Sequence, residues 1–119
     1  MSHLKYTKRI EATIRIDRTG AVSDAIKDVV GGFTILEGNG RGSGERQKVR
    51  AGRGTGSFIA EFNKVATVIT IVNDENVDKV VEIISSAAGS GHTGVGIITI
   101  SSVENVINIS SKKAGSEAL

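Results

Sequence analysis

The segment Gly89-Ser-Gly91-His92-Thr93-Gly94-Val-Gly96 holds the best supply of binding chemistry in the chain. Four of its eight residues are glycine. A backbone without Cβ leaves N–H groups free to curl around an anion, and His92 and Thr93 can add side-chain donors. Its first six residues match G-x-G-x-x-G by letter. In a dinucleotide fold that pattern follows a strand and opens a helix, so that the pyrophosphate meets the helix N-terminus. Here it follows a helical pattern and precedes a strand, so the dinucleotide reading fails on context. A plain helix cap and turn needs one or two glycines; four favour a ligand loop.

A second candidate is Gly38-Asn-Gly40-Arg41. Its glycines let the backbone pass close to a ligand, and Arg41 offers a planar fork for phosphate. It opens the stretch 38–57, which holds seven glycines, four arginines, one lysine and one glutamate, a net charge of +4. The whole chain is only +2, so the remainder sums to −2. Such a stretch cannot bury enough apolar surface to offset the entropy of ordering its backbone. It reads as a long, exposed, mobile loop. Arg46, Lys48, Arg50 and Arg53 within it suit phosphates of a nucleotide, a nucleic acid or an acidic partner; the bland alternative is a solvated basic loop.

Catalysis is poorly supplied. There is no cysteine, and of two histidines His3 lies near the N-terminus. Neither a G-x-S-x-G elbow nor an H-E-x-x-H pair occurs. The acids fall on helix faces and strand exteriors, where solvated charge normally goes. The chain reads as non-enzymatic, without a metal site or a tightly bound cofactor. Three Phe, one Tyr and no Trp leave few platforms for stacking bases, which argues against a specific nucleic-acid partner. No apolar run approaches the length of a membrane span and no leader pattern opens the chain. A cytoplasmic protein of one domain over 1–119 is expected, with loose tails at 1–7 and 110–119.

The elements that must hold these loops follow from periodicity. Ile10, Ala12, Ile14 and Ile16 alternate with polar residues and read as a strand with one buried face. Thr19 is a candidate cap for a helix whose face is Val22, Ala25, Ile26, Val29 and Val30. Gly31-Gly32 stops it, and a short strand over 33–37 leads into the basic stretch. Residues 58–62 are expected to be extended, with a turn at Asn63-Lys64. The run 65–72, rich in Val, Ile and Thr, reads as a central strand. The stretch 73–76 supplies caps for a second helix carrying Val77, Val80, Val81, Ile84 and Ala88 on one face. A strand over 97–100 follows the glycine loop. One helical turn is expected over 103–106 and a short extended piece over 107–109.

The order is β-α-β, long loop, β-α-β. Two such units on one sheet make a ferredoxin-like α+β sandwich: four antiparallel strands with two helices on one face. The other face has no helix, yet the central strand is apolar on both sides. That pattern implies an oligomer packed through its sheets.

The layout over residues 8–110 resembles the PII signal-transduction family. Lys8-Arg-Ile-Glu-Ala12 is similar to its opening strand, and Asp24-Ala-Ile with Gly32-Phe-Thr34 to its first helix and second strand. Gly38-Asn-Gly-Arg41 resembles the Gly-x-Gly-Arg that opens its long T-loop. The stretch 73–78 with Val80-Val-Glu-Ile-Ile84 resembles its second helix. Gly91-His-Thr-Gly-Val-Gly-Ile97 sits where its nucleotide-binding B-loop sits.

The resemblance implies a homotrimer with an adenine nucleotide in clefts between neighbours: AMP, ADP, ATP or a cyclic nucleotide. The T-loop would reach out to a transporter or metabolic enzyme in nitrogen or carbon metabolism. Carried over by position, Gly91, His92, Thr93, Gly94 and Gly96 form the phosphate cradle. Gly38, Gly40 and Arg41 lie at the T-loop root, and Thr34 faces adenine from the neighbouring subunit. Three cations of the family pattern are absent: the B-loop's closing lysine is Ile97, and two arginines correspond to Asn108 and Ser110. Gly42 replaces the glutamine that helps the family bind ATP and 2-oxoglutarate. The alternative is a scaffold or polyanion-binding module that uses the basic loop without sensing nucleotide.

Overall fold

The structure, a computed structural model, describes residues 6–42, 48–50, 57–59, 61–92 and 94–119, with only the backbone of 48–50 and 57–59. In chain order the elements are β1 (Thr7–Arg15), α1 (Thr19–Ile26), β2 (Thr34–Gly40), β3 (Lys48–Arg50), β4 (Ser57–Ile59), β5 (Asn63–Asn73), α2 (Val77–Ala88) and β6 (Gly96–Val103). Four of the strands form one antiparallel sheet in the order β2-β5-β1-β6. This is the ferredoxin-like sandwich expected from the sequence. β1 and β5 lie at its centre because they carry the longest period-two patterns of β-branched residues.

Alternation decides what each face does. Ile10, Ala12 and Ile14 of β1 and Ala66, Val68 and Val72 of β5 point to the helices. There they pack with Val22, Ile26, Val80, Ile84 and Ala88. Fully burying an Ile or Val of this kind contributes about 1.5–3 kcal/mol. Thr70 shares this face and is buried. Its hydroxyl donates to the Gly32 carbonyl at 2.6 Å, which ties β5 to the α1–β2 turn.

The opposite face is bare. Leu36, Thr67, Thr13 and Ile97 form one row across all four strands. The two threonine hydroxyls bond to each other at 3.1 Å. Leu36 is 56% and Ile97 68% exposed. Val65, Ile69 and Ile71 of β5 share this face with the Arg9–Glu11 ion pair at 3.6 Å.

Several local expectations are corrected. The stretch 38–57 is not structureless throughout: β2 continues to Gly40, and β3 pairs with β4 in a second, two-stranded sheet with Val49 opposite Phe58. Backbone pairing outweighs the glycine content there, because Lys48-Val-Arg50 and Ser57-Phe-Ile59 are β-competent triplets. Asn63-Lys64 is strand rather than turn, pairing with Gly40 and Asn39. Thr19 does not cap α1 by accepting a backbone N–H; its hydroxyl donates to the Ile16 carbonyl at 2.7 Å. α1 ends at Ile26, ahead of Gly31-Gly32, and neither glycine is left-handed. Of its expected face, Val22, Ile26 and Val30 are buried while Val29 is exposed.

The region after β6 also differs. No helical turn forms over 103–106, since β6 continues to Val103. Residues 110–119 are not a loose tail. Ile107 bridges Ala114, a short 3-10 helix covers Gly115–Ala118, and Ala118 is 7% exposed. Asn108 organises this turn: its Oδ1 accepts from the N–H groups of Ser110 and Ser111, and its Nδ2 donates to the Ala118 carbonyl at 3.1 Å.

Candidate functional site

α2 ends because Gly89 turns left-handed at φ 98°. The Gly89 N–H then bonds the Ser86 carbonyl and the Ser90 N–H the Ser85 carbonyl, satisfying the last carbonyls of the helix. Gly91, Gly94 and Gly96 follow with φ of 95°, 74° and 138°. Each is a conformation that L side chains rarely adopt. The glycines therefore do more than stop a helix, since three further positions beyond the cap take a backbone conformation that favours glycine. Gly96 also has a packing reason. A Cβ there would run into the Thr13 carbonyl oxygen and lie 3.1 Å from the Ile14 Cα. At Gly91 a Cβ would meet nothing within 4 Å, so only the left-handed backbone favours glycine there. His92 is exposed beside it.

Register places Gly38–Arg41 at the same end of the sheet. Ile14 pairs with Gly96, while Arg15 and Gly38 both pair with Val65. At about 4.8 Å per strand gap, the two loops flank the sheet roughly 14 Å apart. A Cβ on Gly40 would sit 3.2 Å from Val65 Cγ1, so β2 lies tight on β5 there, while Gly38 is open. Arg41 is exposed just beyond the strand.

Thr34 is not part of this end. It pairs with Ile69 at the start of β2 and lines a cavity of about 380 Å³ with Phe33, Ile71, Asn108 and Ala118. Combining three strand gaps with three residues along the strand separates Thr34 from Gly96 by roughly 17 Å within one chain. The structure thus groups Gly38, Gly40, Arg41, Gly91, His92, Gly94 and Gly96 at one end of the sheet and leaves Thr34 apart. Thr93, Arg46 and Arg53 lie outside the described residues, as do the side chains of Lys48 and Arg50.

Sequence reasoning missed two groups. Arg18, which belongs to no motif in the sequence, brings its guanidinium beside Gly89. A Cβ there would meet Nη2 at 3.5 Å and Cζ and Nε at 3.6 Å. The C-terminal segment, taken for a tail, supplies a wall of the Thr34 cavity. Neither left a local signal, because both depend on contacts distant in sequence. Among the described residues no cluster of His, Asp and Glu could hold a metal ion, and no helix is long and apolar enough to cross a membrane.

A ferredoxin-like sheet thus carries the glycine loop and the strand end at Gly38–Arg41 at one end. The family model described as "Nitrogen regulatory protein P-II" matches residues 7–113, and the chain belongs to that family. The family is one of regulatory proteins, not enzymes. The nitrogen regulatory protein P-II of Pyropia yezoensis is 39% identical over 115 residues, covering 94% of this chain and 99% of its own. That of Rhizobium meliloti (strain 1021) is 34% identical with the same coverage. The crystal structure of Arabidopsis thaliana PII bound to citrate superposes with a TM-score of 0.75 at 23% identity, covering 96% of this chain and 92% of that one. It supports the fold.

Proposed function

We propose that this protein senses an adenine nucleotide, bound between neighbouring copies of a homotrimer, and reports it to a protein target through the segment 38–57. The carrying observation is the separation of about 17 Å between the glycine loop and the Thr34 cavity. One chain does not bring the two halves of the family's expected site together, whereas two adjacent chains would. The bare sheet face supports the same reading, since Leu36, Val65, Ile69, Ile71 and Ile97 need a cover and a closed ring of identical subunits supplies one. The phosphates lie against Gly91, His92, Thr93, Gly94 and Gly96, with Arg41 at the rim. Adenine enters the neighbour's cavity beside Thr34. The ligand is AMP, ADP, ATP or a cyclic nucleotide, and the target is a transporter or metabolic enzyme.

Asn108 refines the reading. It stands where the resemblance expects an arginine, and its amide is committed to Ser110, Ser111 and Ala118. It contributes turn structure instead of charge. The test is calorimetric titration with AMP, ADP, ATP and cyclic AMP, with the oligomer mass recorded on the same sample. Micromolar binding of one of them to a trimer supports the reading. If none binds, the fold is shared without nucleotide sensing, and the basic segment becomes the place to seek a polyanionic partner.

A further inference from the structure

Among the described residues, Arg18 is a cation without a counterion. It makes no ion pair with them, and the neighbouring carboxylate, Asp17, is held by Arg15 at 3.0 Å. Its helix contacts do not account for it either. Arg18 is the N-cap of α1, where the positive end of the helix disfavours a cation, and it touches the C-cap of α2, where the negative end favours one. The two effects oppose each other. What remains is a guanidinium 3.5 Å from where a Gly89 Cβ would sit, two residues before Gly91, at most about 7 Å of chain away. The loop it borders carries no Lys or Arg, and its last position is Ile97.

We propose that Arg18 is the phosphate-binding cation of the glycine loop, reaching across from the β1–α1 turn to pair with the anionic group that the loop amides cradle. This rests on reading that loop as a phosphate cradle. The planar fork suits two phosphate oxygens at once. The left-handed cap alone requires glycine at position 89, since a Cβ there would make only ordinary contact with the guanidinium.

The experiment compares the wild-type protein with Arg18→Gln, Arg18→Lys and, as a distant exposed control, Lys79→Gln. Each is titrated with ADP, adenosine and inorganic pyrophosphate, and its thermal midpoint is measured without ligand. Expected for Arg18→Gln is about a tenfold loss of affinity for ADP and pyrophosphate. Adenosine binding and the midpoint should not change. Arg18→Lys should keep part of the affinity, and Lys79→Gln all of it. Unchanged ADP affinity in Arg18→Gln overturns the proposal, as does a lowered midpoint with equal losses for ADP and adenosine, since Arg18 would then only brace the fold. If the wild type binds pyrophosphate but no nucleotide, and Arg18→Gln loses it, the nucleotide reading fails while this one stands. Binding of neither ligand by the wild type removes both.

Discussion

Replacing Gly96 with alanine tests the geometry of the glycine loop most sharply. At φ 138° an L side chain is strained, and its Cβ would run into the Thr13 carbonyl oxygen on β1. That oxygen is backbone in a central strand, so no side-chain rotation relieves the clash. Either β6 moves away from β1 or the loop turns over. Backbone strain costs about 1–3 kcal/mol, and forced overpacking adds about 1–3 kcal/mol more. A loss of about 3–5 kcal/mol is expected from a total of roughly 5–15 kcal/mol. That corresponds to a fall in the thermal midpoint on the order of 10–20 °C.

Two further glycines calibrate the result. Gly91→Ala meets the left-handed penalty without a clash, so about 1 kcal/mol is expected. Gly38→Ala has open space and no positive φ, so its effect should stay within about 0.5 kcal/mol. Urea unfolding monitored by circular dichroism, at one protein concentration because an oligomer's stability depends on it, ranks the three. If Gly96→Ala is no more destabilising than Gly91→Ala, β6 does not approach β1 as described.

Other expectations follow from single contacts. Thr70→Val should cost about 1–2 kcal/mol, because the Gly32 carbonyl loses its donor while the shape is kept; chemical denaturation reads this directly. Ile84→Ala, fully buried between α2 and the sheet, should cost about 2–5 kcal/mol by the same assay. Leu36→Asp puts a charge on the bare sheet face and should convert the proposed trimer to monomers in sedimentation, with the far-ultraviolet spectrum retained. Asn108→Ala should free the segment after Ile107 and raise amide exchange at Ser110 and Ser111, at a stability cost of about 1 kcal/mol.

The sheet was legible because β1 and β5 alternate so cleanly that one face had to be core. α2 was legible because Val77, Val80, Val81, Ile84 and Ala88 recur at helical spacing and Gly89 ends them. Its acidic start was also legible, with Asp74 and Glu75 in the 3-10 turn before it, but its caps were not: Asn73 and Asn76 make no side-chain cap bond. Composition misled where pairing decides structure. Lys48-Val-Arg50 sits in a stretch that looks unfoldable, yet three residues suffice when a partner triplet lies seven positions on. The same holds for residues 107–119, where Asn108 and a buried Ala118 order a segment that composition marks as a tail. For the candidate site, the glycines and Arg41 could be found from spacing. Arg18 could not, since nothing in Asp17-Arg-Thr-Gly20 points to a glycine seventy residues later. The separation of Thr34 from the loop could be obtained only once strand register was known.

The central claim is that two chains complete one binding site. It is tested most directly by mixing defective subunits. Gly91→Val spoils the loop, and Thr34→Arg blocks the cavity; each homo-oligomer should fail to bind nucleotide. Co-expressed in equal amounts, the two should regain binding at about a quarter of their interfaces, where an intact loop meets an intact cavity. Recovery near that level, on oligomers of trimer mass, is the predicted result. No recovery from properly assembled mixtures, or full binding by either variant alone, would contradict a site shared between neighbours.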